Sequence, residues 1–192
     1  PPGEASASPR PVTVAIVGRG RLGRALAQAL SASPGYDVLG PLGRGADPLD
    51  AGVVLLCVPD QEIVSAARAV APGPLVGHCS GTTGLDALHG HEAFSLHPLM
   101  TVTGPGVDFS GAGAAVAGST PRALETARGL ARELGMTPVE IADPDRAAYH
   151  AAASIASNFL VTLEAAAERL AAQVGLDRRL LAPLIRASVD NW

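Results

Sequence analysis

The feature that most constrains the fold is Gly18-Arg19-Gly20-Arg21-Leu22-Gly23. It follows a short apolar, β-branched run, Val12 to Val17, and leads into the helical spacing of Leu22 to Leu30. A GxGxxG between a strand and a helix is the fingerprint of a dinucleotide-binding turn. The first glycine makes the tight turn, the second lets the backbone approach a pyrophosphate, and the third lets helix and strand pack closely. The phosphates then meet the unpaired N–H groups of the helix N-terminus. The competing reading is a vestigial glycine turn.

The rest of the chain fits that start. Tyr36 to Leu39, Val53 to Val58, Leu75 to Gly77, Ala93 to Leu96, Gly113 to Val116 and Pro138 to Ile141 read as strands, the last an edge strand. Val53 to Val58 is apolar throughout, as expected where both faces of a strand are covered. Helices are expected from Asp60, acting as cap, to about Val70, and from Thr120-Pro121 to near Gly135. This alternation predicts an α/β fold, a doubly wound and mostly parallel Rossmann-type sheet. From Asp143-Pro144 no stop appears before Gly175, which predicts a helix of about 30 residues. Asp177 caps a further helix through Leu180, Leu181, Leu184 and Ile185, with Pro183 inside it. The expected organisation is a flexible lead-in over 1–11, a dinucleotide-binding domain over 12–142 and the start of an all-α domain over 143–192. A long helix and part of another cannot bury themselves. The expectation is a missing helical remainder or a partner chain, with a homodimer through the helical region.

Composition narrows the chemistry. All 14 basic residues of the 192-residue chain are Arg, so no Lys is present. That excludes Lys Schiff-base, Lys general-acid and P-loop Lys mechanisms. The net charge of −4 argues against a nucleic-acid partner. No apolar stretch is long enough to predict a membrane span. Cys57 and Cys79 lack CxxC spacing and are read as reduced thiols of a cytoplasmic protein, with no metal site.

Cofactor preference is read from the end of the second strand. An NAD site usually carries an acidic residue there. Here Gly40 to Gly45 offers none, and Arg44 can take a 2′-phosphate through its planar fork, assisted by Arg19 and Arg21. NADP is therefore expected, and a solvated loop residue is the plainer reading of Arg44. In an open α/β sheet the ligand lies beyond the carboxyl ends of the strands. Val58 and Pro59 should line that crevice with the glycine turn, as should His78-Cys79-Ser80-Gly81 and His97-Pro98. Ser80 offers a hydroxyl, and His97 an imidazole suited to proton transfer near neutrality. His89 and His91 read as solvated loop residues, and His78 is ambiguous. On the long helix His150, Ser154 and Asn158 recur every fourth residue and share one side. They either hydrogen-bond a neighbouring helix or close the crevice over a substrate.

The motif order GRGRLG, CVPD, HCSG, SLHPLM and YHAAASIASN resembles a Rossmann-like family with a DUF2520 C-terminal domain. That family sits in the wider 6-phosphogluconate and β-hydroxyacid dehydrogenase superfamily. The resemblance runs from Val12 onward and implies an NADP-dependent oxidoreductase acting on a small carbonyl or hydroxyl compound, a 2-oxo acid such as ketopantoate being a candidate. It also implies that relatives continue into more helices past Asn191. Prephenate dehydrogenases are similar at SLHPLM and HCSG, which implies a catalytic His97 assisted by Ser80, with Ser154 or Asn158 near the substrate. Ketopantoate reductases use a Lys and, four residues on, an Asn on the long helix. His150 and Ser154 stand in that place here, so that mechanism does not carry over intact. The expected acid–base group is His97 or His150, with Ser80 and Asn158 orienting the oxygen. Two rival readings are an NADP-binding sensor or scaffold without turnover, and a deazaflavin (F420)-dependent NADP oxidoreductase, for which the residues give no positive sign.

Overall fold

The computed structural model describes residues 10–43, 45, 46, 48 and 50–191. Contacts divide the chain into two units, one through Ala147 and one from Ala148.

The first unit is a seven-stranded sheet between helices. Its strands are β1 (Val12–Val17), β2 (Tyr36–Leu42), β3 (Val53–Leu56), β4 (Leu75–His78), β5 (Ala93–Leu99), β6 (Gly113–Gly118) and β7 (Thr137–Glu140). The order across the sheet is β2-β1-β3-β4-β5-β6-β7. Every pairing is parallel except β5 with β6. The chain leaves β1 towards β2 and then returns to the other side of β1 for β3. The crevice beyond β1 and β3 is thus the switch point where ligands bind in such sheets.

Alternating residues build two cores. Val14, Ile16, Val53 and Leu55 face α1 (Arg21–Ser31) and α3 (Pro121–Glu133), where Leu26, Leu30, Ala127 and Leu130 are buried. Ala15, Val17, Val54 and Leu56 face α2 (Ile63–Arg68) through Ile63 and Ala67. Each fully buried Leu or Ile adds about 1.5–3 kcal/mol of burial free energy. The small residues let layers approach closely: a Cβ on Gly77 would lie 2.3 Å from the Phe94 ring. Thr120 caps α3 by accepting from the Ala123 N–H at 3.1 Å, with Pro121 in the first position, as the sequence predicts.

Several boundaries differ from expectation for identifiable reasons. β2 runs on to Leu42 because a bulge opposite Ala15–Val17 lets Leu42 pair with Val17. Its Gly40 has φ +125° and Pro41 sits on an edge strand, where a missing N–H is tolerated. β5 continues to Leu99 because β6 pairs with it antiparallel, His97 opposite Ala115. Asp60 does not cap a helix. It opens a 3₁₀ turn, Asp60–Glu62, ahead of the short α2, and its carboxylate is taken by side chains of the next crossover.

The second unit is helical. The predicted long helix is continuous in path but not uniform: α4 (Arg146–Ser154) passes through a π turn (Ile155–Phe159) into α5 (Leu160–Gln173). Hydrogen bonds there span five residues, so each residue advances by a smaller angle. Residues four apart, including Ser154 and Asn158, stay more nearly in line through such a turn. α6 (Arg178–Asp190) is capped by Asp177, which accepts from the Arg179 N–H, and contains Pro183. Large apolar side chains stand exposed along this unit, among them Phe159, Val161, Leu163, Leu170, Leu180 and Leu184. No helix among the described residues is long and apolar enough to cross a membrane.

Candidate active site

The glycine turn sits over the end of β3. Gly18 has φ +126°, and a Cβ on it would lie 2.1 Å from the Cys57 carbonyl oxygen. A Cβ on Gly23 would lie 2.0 Å from the Gly18 carbonyl oxygen. These two glycines are therefore required by the protein's own packing. Gly20 differs. Among the described residues nothing lies within 4 Å of a Cβ built there, and its φ of −70° suits any residue. Its missing side chain leaves open space directly before the free N–H groups of α1, whose first turn carries no acidic residue.

That space opens into a cavity of about 390 Å³ lined by Gly18, Arg19, Gly20, Leu42, Gly43, Cys57, Val58, Pro59 and Glu62. Such a volume is in the range of small-molecule sites. Val58 and Pro59 thus stand beside the glycine turn, as does the backbone end of β2, whose Leu42 carbonyl accepts from the Gly18 N–H at 3.0 Å. The Arg19 guanidinium carbon comes 3.5 Å from the Cβ position of Gly43. This places an exposed guanidinium beside the end of β2. Arg21 is exposed at the start of α1, while Leu22 turns inward against the core, so only its backbone is offered to a ligand. Arg44 lies outside the described residues. Glu62 also lines the cavity, as does Cys57, which the sequence marks only as a reduced thiol. The third-strand end CVPD is the signal that could have included Cys57.

Next to this crevice is a polar network built by the segment after β4. Ser80 Oγ donates to Asp60 Oδ2 at 2.8 Å and accepts the N–H groups of Thr82 (3.2 Å) and Thr83 (3.0 Å). Thr82 Oγ1 donates to the same carboxylate oxygen at 2.9 Å. The Ser80 hydroxyl is thus engaged in holding a turn, and Ser80 is 6% exposed.

His78 is fully buried. Its Nδ1 accepts the Ser80 N–H at 3.2 Å, which assigns the ring proton to Nε2, facing the Gly84 carbonyl at 3.3 Å. Burial pushes the imidazole from 6.5 down to about 4; the Gly84 carbonyl opposes this, the Arg146 guanidinium adds to it, and Asp60 and Asp143 oppose it. The ambiguity over His78 resolves to a neutral ring that pins the turn. Because the folded pKa lies below the unfolded one, its contribution is complete above about pH 6.5. It falls as pH drops towards 4, since the unfolded chain takes up the proton first. Wild type is expected to lose about 2 kcal/mol between about pH 7 and pH 5 through this ring. Urea unfolding of His78→Asn should show a correspondingly flatter acid limb; an unchanged limb would contradict the assignment.

His97 stands on β5 two residues beyond Ser95, on the same face, and Ser95 is opposite His78 of β4. It is therefore at the carboxyl end of the parallel strands, partly exposed, although inside the strand rather than after it. Sequence reasoning missed Arg146. This residue is buried, its Nε donating to Asp143 Oδ1 at 2.6 Å and an Nη to Ser95 Oγ at 2.7 Å. A cation at a helix start opposes the helix dipole, and that misplacement is a legible sign that such an Arg has a partner. His91 is not solvated as expected: its Nε2 lies 3.0 Å from the Ala67 carbonyl. His89 is exposed.

The remaining candidates belong to the second unit. His150 is half-buried on α4, and its Nδ1 has no hydrogen-bond partner among the described residues. Ser154 ends α4 half-buried, and Asn158 is exposed in the π turn. Among the described residues no group of His, Cys, Asp and Glu could hold a metal ion.

Similarity to known proteins agrees with this architecture. No curated protein matches the chain. Among solved structures, protein TM1727 from Thermotoga maritima shares 24% identity at a TM-score of 0.73, over 93% of this chain and 77% of that one. An imine reductase of Streptomyces aurantiacus shares 17% at 0.71, over 93% and 73%. A 1-pyrroline-5-carboxylate reductase of Streptococcus pyogenes shares 12% at 0.70, over 95% and 80%. These likenesses establish the Rossmann-type fold followed by helices. Residues 113–192 match the model of the DUF2520 family, a domain of unknown function, as the order of motifs in the sequence implies.

Proposed function

We propose that the protein is an NADP-dependent oxidoreductase acting on a small carbonyl compound, with 2-oxo acids as the first candidates. The observation that carries this reading is the open space at Gly20. A glycine that no packing among the described residues requires, set between the N-terminus of α1 and a cavity of about 390 Å³, leaves room for a pyrophosphate. Arg19 at the end of β2 supports NADP over NAD, because a guanidinium suits a 2′-phosphate. The nicotinamide, when bound, supplies or accepts the hydride. The chain's part is to bind the dinucleotide, hold the substrate oxygen and move one proton. With no Lys available, His97 at the end of β5 is the proposed acid–base group, and His150 its alternative. Ser80 positions the turn beside the crevice through Asp60. Roles for Ser154 and Asn158 towards the substrate are part of the same proposal. So is a second copy of the chain over the exposed apolar side chains of the helical unit, which a monomer by light scattering would remove.

The test is titration of the chain with NADPH and NADH, followed by NADPH oxidation with a panel of 2-oxo acids and cyclic imines. Arg19→Ala should weaken NADPH about tenfold, or roughly 1.4 kcal/mol, and leave NADH unchanged. Equal weakening of both would remove the 2′-phosphate role. Binding without turnover of any compound would favour a sensor instead. One observation favours that second reading: Ser80 and His78 are both committed to holding the turn.

A further inference from the structure

Cys57 and Cys79 are 22 residues apart in sequence, yet the sheet sets them side by side. Leu56 pairs with His78 at the ends of β3 and β4, so the next residue on each strand faces the other. The two sulfurs are 3.8 Å apart, both against the α1 side of the sheet. Cys57 is partly exposed and lines the dinucleotide cavity, whereas Cys79 is buried beneath it. Cys57 also forms the underside of the glycine turn: its N–H donates to the Val17 carbonyl at 2.7 Å, and its own carbonyl packs against Gly18.

We propose that Cys57 and Cys79 are a dithiol that hydrogen peroxide converts to a disulfide, that this disulfide weakens dinucleotide binding, and that bound dinucleotide shields the pair. The cofactor half rests on the NADP reading above. The Cys57 thiolate attacks one peroxide oxygen. The O–O bond breaks, hydroxide leaves and becomes water with the thiol's proton, and Cys57 becomes a sulfenic acid. The Cys79 sulfur then attacks the Cys57 sulfur. An S–S bond forms, the S–O bond breaks, and the hydroxide leaves as water with the Cys79 proton. Two thiols give up two electrons to one peroxide, yielding one disulfide and two waters. The order follows exposure, because peroxide reaches Cys57 first. The Cys79 thiol is also held well above its ordinary range by its contact with Cys57 and by burial, so it is the poorer initial nucleophile.

A disulfide needs its sulfurs about 2.05 Å apart. They must therefore close by about 1.8 Å from the separation of 3.8 Å. Gly18 already fits the Cys57 carbonyl so closely that no Cβ is accommodated. Movement of Cys57 is thus passed to the turn that binds the pyrophosphate. A bound dinucleotide covers the exposed side of Cys57 and opposes the same movement.

The experiment treats the full chain with peroxide, desalts it, and counts alkylatable thiols under denaturing conditions by intact mass. The expected result is an uncrosslinked monomer in which both thiols are blocked and recovered with dithiothreitol. NADPH affinity should fall at least tenfold on oxidation and return on reduction. Oxidation with saturating NADPH present should be slower. Cys79→Ser should still bind NADPH and should form no intramolecular disulfide. Retention of both alkylatable thiols, a crosslink between chains, or an oxidised protein that binds NADPH as well as the reduced one would overturn the proposal. If the disulfide forms but the reduced protein binds no NADPH, the dithiol stands and the cofactor reading fails.

Discussion

Gly23→Ala is expected to lower the melting temperature by about 5 °C, while Gly20→Ala leaves it within a degree or two and weakens NADPH at least tenfold. The two substitutions add the same methyl group three residues apart in one motif. Their surroundings separate them. At Gly23 the methyl would lie 2.0 Å from the Gly18 carbonyl oxygen and 3.3 Å from Cys57 Cβ. The nearest obstacle is backbone, so the start of α1 must lift off the end of β3. Forcing an extra methyl into a packed site costs about 1–3 kcal/mol, more when backbone moves. The gain of Ala over Gly inside a helix, up to about 1 kcal/mol, recovers only part of that. At Gly20 the methyl meets nothing among the described residues. Ala is a poorer helix cap than Gly but restricts the unfolded chain, and these opposing effects of about 1 kcal/mol or less nearly cancel. The methyl does stand where a pyrophosphate must approach. Thermal melts and NADPH titration of both variants check the pair. Undiminished NADPH binding by Gly20→Ala would remove the main support for the cofactor site.

Legibility from the sequence follows how local each constraint is. The β1–turn–α1 unit is legible because its strand run, three glycines and helical spacing are consecutive. The cap of α3 is legible because Thr120, Pro121 and Ala123 settle it among themselves. The extension of β5 to Leu99 is not, since it depends on β6 arriving antiparallel from more than a dozen residues away. Asp60 reads as a cap, and its carboxylate is instead claimed by Ser80, 20 residues on. The Cys57–Cys79 contact is hidden for the same reason: spacing along the chain says nothing about register between strands. The π turn carries no pattern that separates it from ordinary helix in an Ala-rich stretch. For the site, the glycine turn and the strand-end residues Val58, Pro59, Ser80 and His97 lie at one end of the sheet, as the doubly wound topology demands. What the Ser80 hydroxyl bonds to, and the burial of Arg146, required the packed structure.

His97→Ala is expected to reduce turnover by about 10²–10⁴-fold with NADPH affinity unchanged, the usual contribution of a positioned acid or base. The chain has no Lys. His78 is locked as a neutral ring between the Ser80 N–H and the Gly84 carbonyl, with its pKa held near 4, too low to exchange protons at neutral pH. His91 faces the Ala67 carbonyl under α2, and His89 is an exposed residue beside Gly90. The Ser80 hydroxyl is engaged by Asp60 Oδ2 at 2.8 Å and Thr83 Oγ1 at 2.9 Å. His97 remains in the sheet unit at the carboxyl end of β5, and His150 in the helical unit. Single-turnover kinetics on His97→Ala and His150→Ala, each with its NADPH titration, divide the outcomes. A large loss in the first alone assigns the proton to His97. A large loss in the second alone moves it to the helical unit, where His150 Nδ1 is buried and lacks a partner among the described residues. Full turnover in both would remove both histidines from the proposed mechanism.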